Sequence, residues 1–125
     1  MKNKEKLINE GFEISDHIRY IAVYDNDGLT LKQRNDIVNV SASESDKYEE
    51  LLVNPTLIKL ASQRGNIDCG GLQYFIIRYG NFFVLLMPSR NGHVNIGVEP
   101  DKNPLGYVEP LSELLKKYSL NQVAN

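Results

Sequence analysis

The chain has 125 residues, with 16 acidic and 14 basic side chains, a formal net charge of −2 and 42% hydrophobic residues. That length predicts a single domain over residues 1–125, ordered from about residue 3 to about residue 118. The mixed charge leaves no basic stripe, which argues against a nucleic-acid partner. The single cysteine, Cys69, excludes an internal disulfide and is typical of a reducing compartment.

The apolar residues are distributed as in a protein that stays out of membranes. The first residues, MKNKEKLINE, contain no apolar core of signal-peptide length. No run approaches the ~20 apolar residues that a membrane-spanning helix needs. We therefore expect a cytoplasmic protein with no membrane partner.

The chain begins with a predicted helix and a β-hairpin. Residues 2–10 predict a short helix that Gly11 should end. Residues 18–25 (IRYIAVYD) are apolar on both faces, which indicates a strand in the middle of a sheet. The turn DNDG then returns the chain into residues 29–34, whose polar face with Lys and Arg favours a water-exposed edge strand.

A long helix is predicted in the middle of the chain. Residues 35–42 should form a loop, after which Ser43 and Asp46 fit the Ser-x-x-acid pattern of a helix N-terminus. The helix is expected over residues 44–63, with Gly65 ending it.

The apolar side chains of this helix fall on two nearly opposite sides at ~100° per residue. One group is Tyr48, Leu51, Leu52, Pro55 and Ile58, and the other is Leu57, Leu60 and Ala61. Only one side can cover the sheet, so the other is either a partner surface or, if the helix kinks at Pro55 with Asn54 as a second N-cap, further core. Both interpretations stay open at this point.

Three strands follow as a meander, because runs rich in aromatic and β-branched residues are separated by tight-turn dipeptides. They are residues 72–79, residues 82–87 and residues 93–98, with Gly80-Asn81 and Asn91-Gly92 in the turns. The third strand alternates, so that the valine and isoleucine positions share one face while His93, Asn95 and Gly97 share the other.

A last helix is predicted over residues 105–118. Asp101-Lys-Asn caps it, Pro104 occupies its first turn, and Pro110 should kink or restart it. Residues 119–125 should fray.

The elements predict an α+β fold with the order α-β-β-α-β-β-β-α. Hairpin neighbours pair first, and the two-faced first strand needs a second neighbour, so the five-stranded antiparallel sheet should have the order 2-1-5-4-3 with helices on both faces. This arrangement leaves residues 72–79 as an edge strand that is almost wholly apolar. Such an edge is normally blunted, so we expect it to pair with a second copy, unless the terminal residues or the middle helix cover it.

The predicted homodimer interface combines the apolar side of the middle helix with the edge strand. Its residues are Tyr48, Leu51, Leu52, Pro55, Ile58, Leu72, Tyr74, Ile76 and Arg78.

The sequence also resembles the Roadblock/LC7 family, which has a profilin-like fold of the same class as longin domains. HIRYIAVYDNDG, residues 17–28, is similar to the family's first strand and Asp-Gly turn. Residues 71–100 are similar to its three-strand meander, and the last helix agrees. Stand-alone archaeal versions of the domain have a similar opening. The chain departs from the family in its short first helix and in Pro55, which interrupts the usually straight dimer-forming helix.

The resemblance implies a non-enzymatic homodimer that serves as a platform for partners, commonly Ras-like small GTPases. Family dimers usually pair through the middle helix and the third strand. The resemblance implies no catalytic residue and no cofactor. The alternative from the residues is a small-molecule sensor of the profilin-like, PAS or GAF type, with a cavity between sheet and helix.

Other chemistry has weaker support in the sequence. Asp25 and Asp27 lie in a turn that lacks the later ligands of a calcium loop. His17, His93 and Cys69 have no spacing typical of a metal site. No nucleotide-binding glycine motif is present.

Four aromatic residues and one turn have both a structural and a ligand-binding interpretation. Tyr74, Phe75, Phe82 and Phe83 could line a pocket, although core is the simpler interpretation. The backbone amides of residues 89–92 could bind an anion, although a hairpin turn explains this segment.

Overall fold

A computed structural model describes residues 2–34 and 43–122. The predicted loop at residues 35–42 lies outside these ranges. The helices are α1 (Lys2–Phe12), α2 (Ser43–Tyr48), α3 (Asn54–Asp68) and α4 (Val108–Lys117). The strands are β1 (Ile18–Asp25), β2 (Gly28–Gln33), β3 (Phe75–Arg78), β4 (Phe83–Ser89) and β5 (Gly92–Val98). A five-residue π-helical segment, Glu49–Val53, joins α2 to α3 and is called the π-turn below, and a 3₁₀ turn, Pro104–Tyr107, precedes α4.

The sheet has the predicted architecture. Its five strands run in the order β2-β1-β5-β4-β3, and each neighbouring pair is antiparallel. At the centre, Ile96 of β5 lies between Ile21 of β1 and Leu85 of β4. β3 is an edge strand, as predicted.

The hydrophobic core lies between the sheet and the pair α1 and α4. Its buried members are Leu7, Ile8, Ile18, Ile21, Val23, Leu85, Met87, Val94, Ile96, Val98, Leu111 and Leu115. α2, the π-turn and α3 cover the opposite face, so helices lie on both sides of the sheet. With strict alternation, the side chains of Ile18 and Tyr20 would lie on the same face of the sheet. A register shift between these two residues in the pairing with β5 instead brings Ile18 into the core.

Two glycines that were expected to end helices serve instead for close packing. α1 continues through Gly11 to Phe12, and a Cβ on Gly11 would lie 2.6 Å from the Cδ1 of Ile21. α3 likewise continues through Gly65, where a Cβ would lie 3.2 Å from the backbone of Gly71. The Gly65 carbonyl accepts from the backbone amides of Cys69 and Gly71, so α3 ends at Asp68.

The middle helix is interrupted before Pro55 rather than at it. α2 begins at Ser43, one residue before the predicted start, and the π-turn follows it. Pro55 lies in the first turn of α3, a position at which proline is tolerated. The expectation that Asn54 is a second N-cap is wrong, because Asn54 has helical backbone angles and its side chain donates to Glu50.

The strands of the two hairpins differ from their predicted bounds. β2 is shifted back by one residue, although the Arg34 amide still donates to the Arg19 carbonyl at 2.8 Å. β3 has only four residues, Phe75–Arg78, instead of eight. Gly70 and Gly71 have positive φ, and Gly71 contacts Gly65 of α3 before the chain joins the sheet, where pairing with β4 begins at Phe75.

The C-terminal segment is more ordered than predicted. Asn103 caps the 3₁₀ turn by accepting from the Leu105 amide at 3.0 Å, and the helix restarts as α4 with Pro110 in its first turn. The expected fraying from residue 119 is wrong for residues 119–122, because the Leu120 carbonyl accepts from the Arg90 amide at 2.8 Å. Asn121 also bridges to Ser89 at the end of β4. Among the described residues, none of the helices is long and apolar enough to cross a membrane.

Candidate docking face and its polar anchor

Glu50 of the π-turn is fully buried against the sheet and is bound by four side chains. Its carboxylate accepts hydrogen bonds from the hydroxyl of Tyr20 (2.6 Å) and the Nδ2 atoms of Asn95 (2.7 Å) and Asn54 (2.9 Å). The Nε2 atom of His93 lies 2.7 Å from the same carboxylate. These five residues are called the polar anchor, because they join the π-turn to β1 and β5.

The anchor holds Glu50 in its ionised form. Burial alone would raise the pKa of this carboxyl, but the hydrogen bonds from His93, Tyr20 and Asn95 outweigh burial and lower the pKa. Burial and the adjacent Glu50 charge raise the pKa of the Tyr20 hydroxyl, which therefore remains a donor. The carboxylate is thus a buried charge that four hydrogen-bonding side chains surround.

The π-turn lets polar residues that are four positions apart share the inward side of the middle helix. The Asn54 amide donates to the Glu49 carbonyl, five residues earlier, which widens the helix by one residue at this point. As a result Asp46, Glu50 and Asn54 are all buried, with exposures of 3%, 0% and 0%. Asp46 accepts from the Nε2 of Gln33 at 2.6 Å.

The apolar pattern of the sequence does not predict this inward face, because the residues that cover the sheet here are polar. A usable signal was present: polar residues recur every four positions at 46, 50 and 54. They match the polar face of β5, where His93, Asn95 and Gly97 were correctly placed together. That face lies under the π-turn rather than in water, and Asn95 is 0% exposed.

Turning polar residues inward leaves apolar ones outside. Tyr48, Leu51 and Leu52 of α2 and the π-turn are 62%, 51% and 52% exposed, and we call them the docking face. Further along α3, Leu60 and Ile67 are also exposed and lie seven residues apart, on one side of the helix. Isolated exposed leucines are ordinary, but adjoining ones on one helix mark a surface for interaction.

The other predicted interface residues divide between surface and core. Pro55, Ile58 and Leu72 are half-buried. Tyr74 and Ile76 pack against the hydrophobic core, so they stabilise the protomer. Arg78 is exposed on β3, with its guanidinium 5.0 Å from the ring centre of Phe83. The interface as a whole stays a prediction.

The residues weighed for metal binding have other contacts. Asp25 accepts from Lys4 and from the Asp27 amide, both at 2.9 Å, as expected of a turn. Cys69 is exposed at the end of α3, whereas His93 is part of the polar anchor. Across residues 2–34 and 43–122, no group of three His, Cys, Asp or Glu side chains is arranged to hold a metal ion.

Two spaces differ greatly in size. A cavity of about 20 Å³ lies under the π-turn; Glu49, Asn95 and Phe82 are among the residues that line it. That volume holds about one water molecule. An open groove of about 620 Å³ lies between the end of α3, the segment before β3 and α4, and includes Leu72 and Lys116. Of the four aromatics considered for a pocket, Tyr74 and Phe83 pack on the core and Phe82 borders the small cavity.

Two solved structures are similar to this chain over nearly its whole length. The gliding protein MglB from Thermus thermophilus has 15% identity and a TM-score of 0.64, over 94% of this chain and 88% of that one. MglC from Myxococcus xanthus has 10% identity and a TM-score of 0.57, over 93% of this chain and 96% of that one. The sequence matches no protein-family model and no curated protein. At these identities the likeness shows the fold alone, and the chain has a Roadblock/LC7-like fold.

Proposed function

We propose that this single-domain protein is a non-enzymatic, cytoplasmic scaffold or regulatory subunit that forms a homodimer and binds a Ras-like small GTPase. The resemblance to the Roadblock/LC7 family and the shared fold support this class of partner. The homodimer is inferred from the docking face, where three large apolar side chains on one helix are more than half exposed.

The exposed area sets the scale of the association. Full burial of a leucine stabilises by about 1.5–3 kcal/mol, so covering the exposed half of each docking-face residue contributes about 1 kcal/mol apiece. Three such residues do not offset the cost of association, at least about 4 kcal/mol. The docking face must therefore be the centre of a larger interface.

The β3 edge supplies the additional contact in this proposal. A stable interface buries about 800 Å² on each partner, roughly a ninth of the 7206 Å² surface of this protein. Within residues 2–34 and 43–122 no strand pairs with the outer side of β3, which carries the exposed Arg78 and is an edge that a second copy can extend. Pairing about a two-fold axis would join two sheets while the docking faces pack together.

A matched pair of substitutions tests the homodimer. Leu51→Glu places a charge in the docking face, whereas Leu105→Glu places the same charge on the 3₁₀ turn before α4, where the leucine is equally exposed, 52% against 51%. We expect size-exclusion chromatography with light scattering to show a dimer for the wild type and Leu105→Glu, and a monomer for Leu51→Glu. Equal masses for the two variants would contradict the proposed interface.

Binding of a GTPase is tested separately. An affinity pull-down with the wild type should recover a GTP-binding protein, and its effect on GTP hydrolysis can then be measured with the purified pair. Leu105→Glu serves as the folded control. Recovery of no GTP-binding protein by the wild type, with the dimer intact, would leave a scaffold without this partner.

A second candidate function is a small-molecule sensor, and the open groove favours it. The cavity between the sheet and the π-turn, where a sensor ligand was expected, has only about 20 Å³, whereas ligand pockets have about 300–1,000 Å³. The groove beside α4 has about 620 Å³. A metabolite that raises the melting temperature of the wild type, but not of Leu72→Arg, would support the sensor.

A further inference from the structure

Three carboxyl groups crowd the inward side of α2 and the π-turn. Glu50 has its four donors and Asp46 accepts from Gln33. Glu49 is half-buried, yet among the described residues no side chain donates a hydrogen bond to it. It is the carboxyl whose charge the fold accommodates least.

Near Glu49, the side-chain oxygen of Asn95 is a buried acceptor that lacks a hydrogen-bond donor within the described part of the chain. Asn95 is 0% exposed and its Nδ2 donates to Glu50, but its Oδ1 has no hydrogen-bond partner among the described residues. Glu49 and Asn95 line the same cavity of about 20 Å³. A protonated Glu49 is a donor that can serve this oxygen, directly or through one water, whereas an ionised Glu49 offers only acceptors.

The other charged and titratable groups around Glu49 do not neutralise it. Arg19 of β1 lines the cavity, but its guanidinium lies 2.8 Å from the Glu99 carboxylate and over the ring of Phe82. Tyr20 of β1 and Tyr79, which follows β3, are neutral, since burial first and nearby glutamates second raise the pKa of each.

The remaining neighbours of Glu49 are acidic or already paired. His93 of β5 is bound to Glu50. Burial, and then the charges of Glu50 and Asp46, raise the pKa of Glu49 to about 7.

From this geometry we propose that Glu49 is a pH sensor for the docking face. Its protonated form holds the π-turn against the sheet, and its ionised form loosens the π-turn and the adjoining Tyr48, Leu51 and Leu52. This inference rests on the proposed function, since it concerns control of the same surface.

The direction of the effect follows from linkage. The closed π-turn binds the Glu49 proton more tightly than an open one, in which the pKa returns to about 4.5. The closed form is therefore favoured at low pH, and this preference is lost as the pH rises through about 7. Between about pH 6 and about pH 8 the opening equilibrium should increase about tenfold.

Hydrogen exchange tests the sensor in the full chain, whether or not copies associate. Protection factors of the amides of residues 49–54, corrected for intrinsic exchange, should be about tenfold higher at about pH 6 than at about pH 8. Glu49→Gln should have equal protection at both pH values. Glu44→Gln, whose side chain is 89% exposed on α2, should keep the wild-type response. Equal protection of the wild type at both pH values, or an unchanged response in Glu49→Gln, would overturn the sensor.

Association is the second readout. The dimer dissociation constant should rise from about pH 6 to about pH 8 in proportion to the loss of the closed form in the two copies, and this rise should vanish in Glu49→Gln. A π-turn that responds in hydrogen exchange while the dissociation constant does not change would overturn control of the docking face. A protein that is monomeric at every pH would refute the proposed homodimer, and the exchange result would still decide whether Glu49 senses pH.

Discussion

Replacing Glu50 with alanine removes the centre of the polar anchor. The substitution leaves buried donors on Tyr20, His93, Asn95 and Asn54 without an acceptor. Each unsatisfied donor costs about 1–3 kcal/mol, and water entering the vacated space reduces the sum, so we expect a loss of about 4 kcal/mol. That is a large part of the 5–15 kcal/mol by which domains of this kind are stable.

Urea unfolding followed by circular dichroism measures this loss. A destabilisation of about 4 kcal/mol should lower the urea midpoint by about 2 M at an unchanged slope. Glu113→Ala, on a side chain that is 70% exposed, is the control and should change stability by less than about 0.5 kcal/mol. A loss below about 1 kcal/mol for Glu50→Ala would show that the four contacts do not act as an anchor.

The same variant has a defined pH dependence. Because its folded pKa is lowered, Glu50 contributes stability that is present above its unfolded pKa of about 4.5 and is lost as the pH falls through the folded pKa. The stability difference between wild type and Glu50→Ala should therefore narrow in acid. A constant difference from neutral pH into acid would contradict the charged anchor.

Two further substitutions test the packing of the sheet and of α1. Gly92→Ala would place a Cβ 1.7 Å from the Tyr24 carbonyl oxygen and should cost more than about 3 kcal/mol in urea unfolding, whereas Gly80→Ala meets nothing within 4 Å and should be nearly neutral. Lys4→Ala leaves Asp25 as an uncompensated charge at the α1 side of the sheet and should cost about 3 kcal/mol. It should cost clearly less in an Asp25→Asn background, and equal costs in both backgrounds would contradict coupling of this ion pair.

The sheet was predictable because its signals are local. The dipeptides Asp27-Gly28 and Asn91-Gly92 mark two hairpins, and both hairpins form there. The two-faced apolar pattern of β1 requires a partner on each side, which led to the order β2-β1-β5-β4-β3. Strand ends were less predictable, because β3 is shortened by a contact between Gly71 and α3 that no local pattern records.

The middle helix was not predictable from its apolar periodicity. Its inward side is polar because the sheet offers His93 and Asn95 there, so only the two faces together explain Glu50. The π-turn changes the helical phase and turns Leu51 and Leu52 outward. The end of this helix was also predicted wrongly. Gly65 does not end α3, because its role is tight packing against Gly71.

We propose that the outward apolar face, which the inward polar anchor leaves exposed, joins two copies of the chain. Sedimentation equilibrium over a range of concentrations measures this directly, in wild type and Leu51→Glu. We predict a wild-type mass of twice 14.2 kDa, with a dissociation constant below about 10 µM, and a Leu51→Glu variant at 14.2 kDa. A wild type at 14.2 kDa throughout, or a Leu51→Glu variant that dimerises equally well, would contradict it.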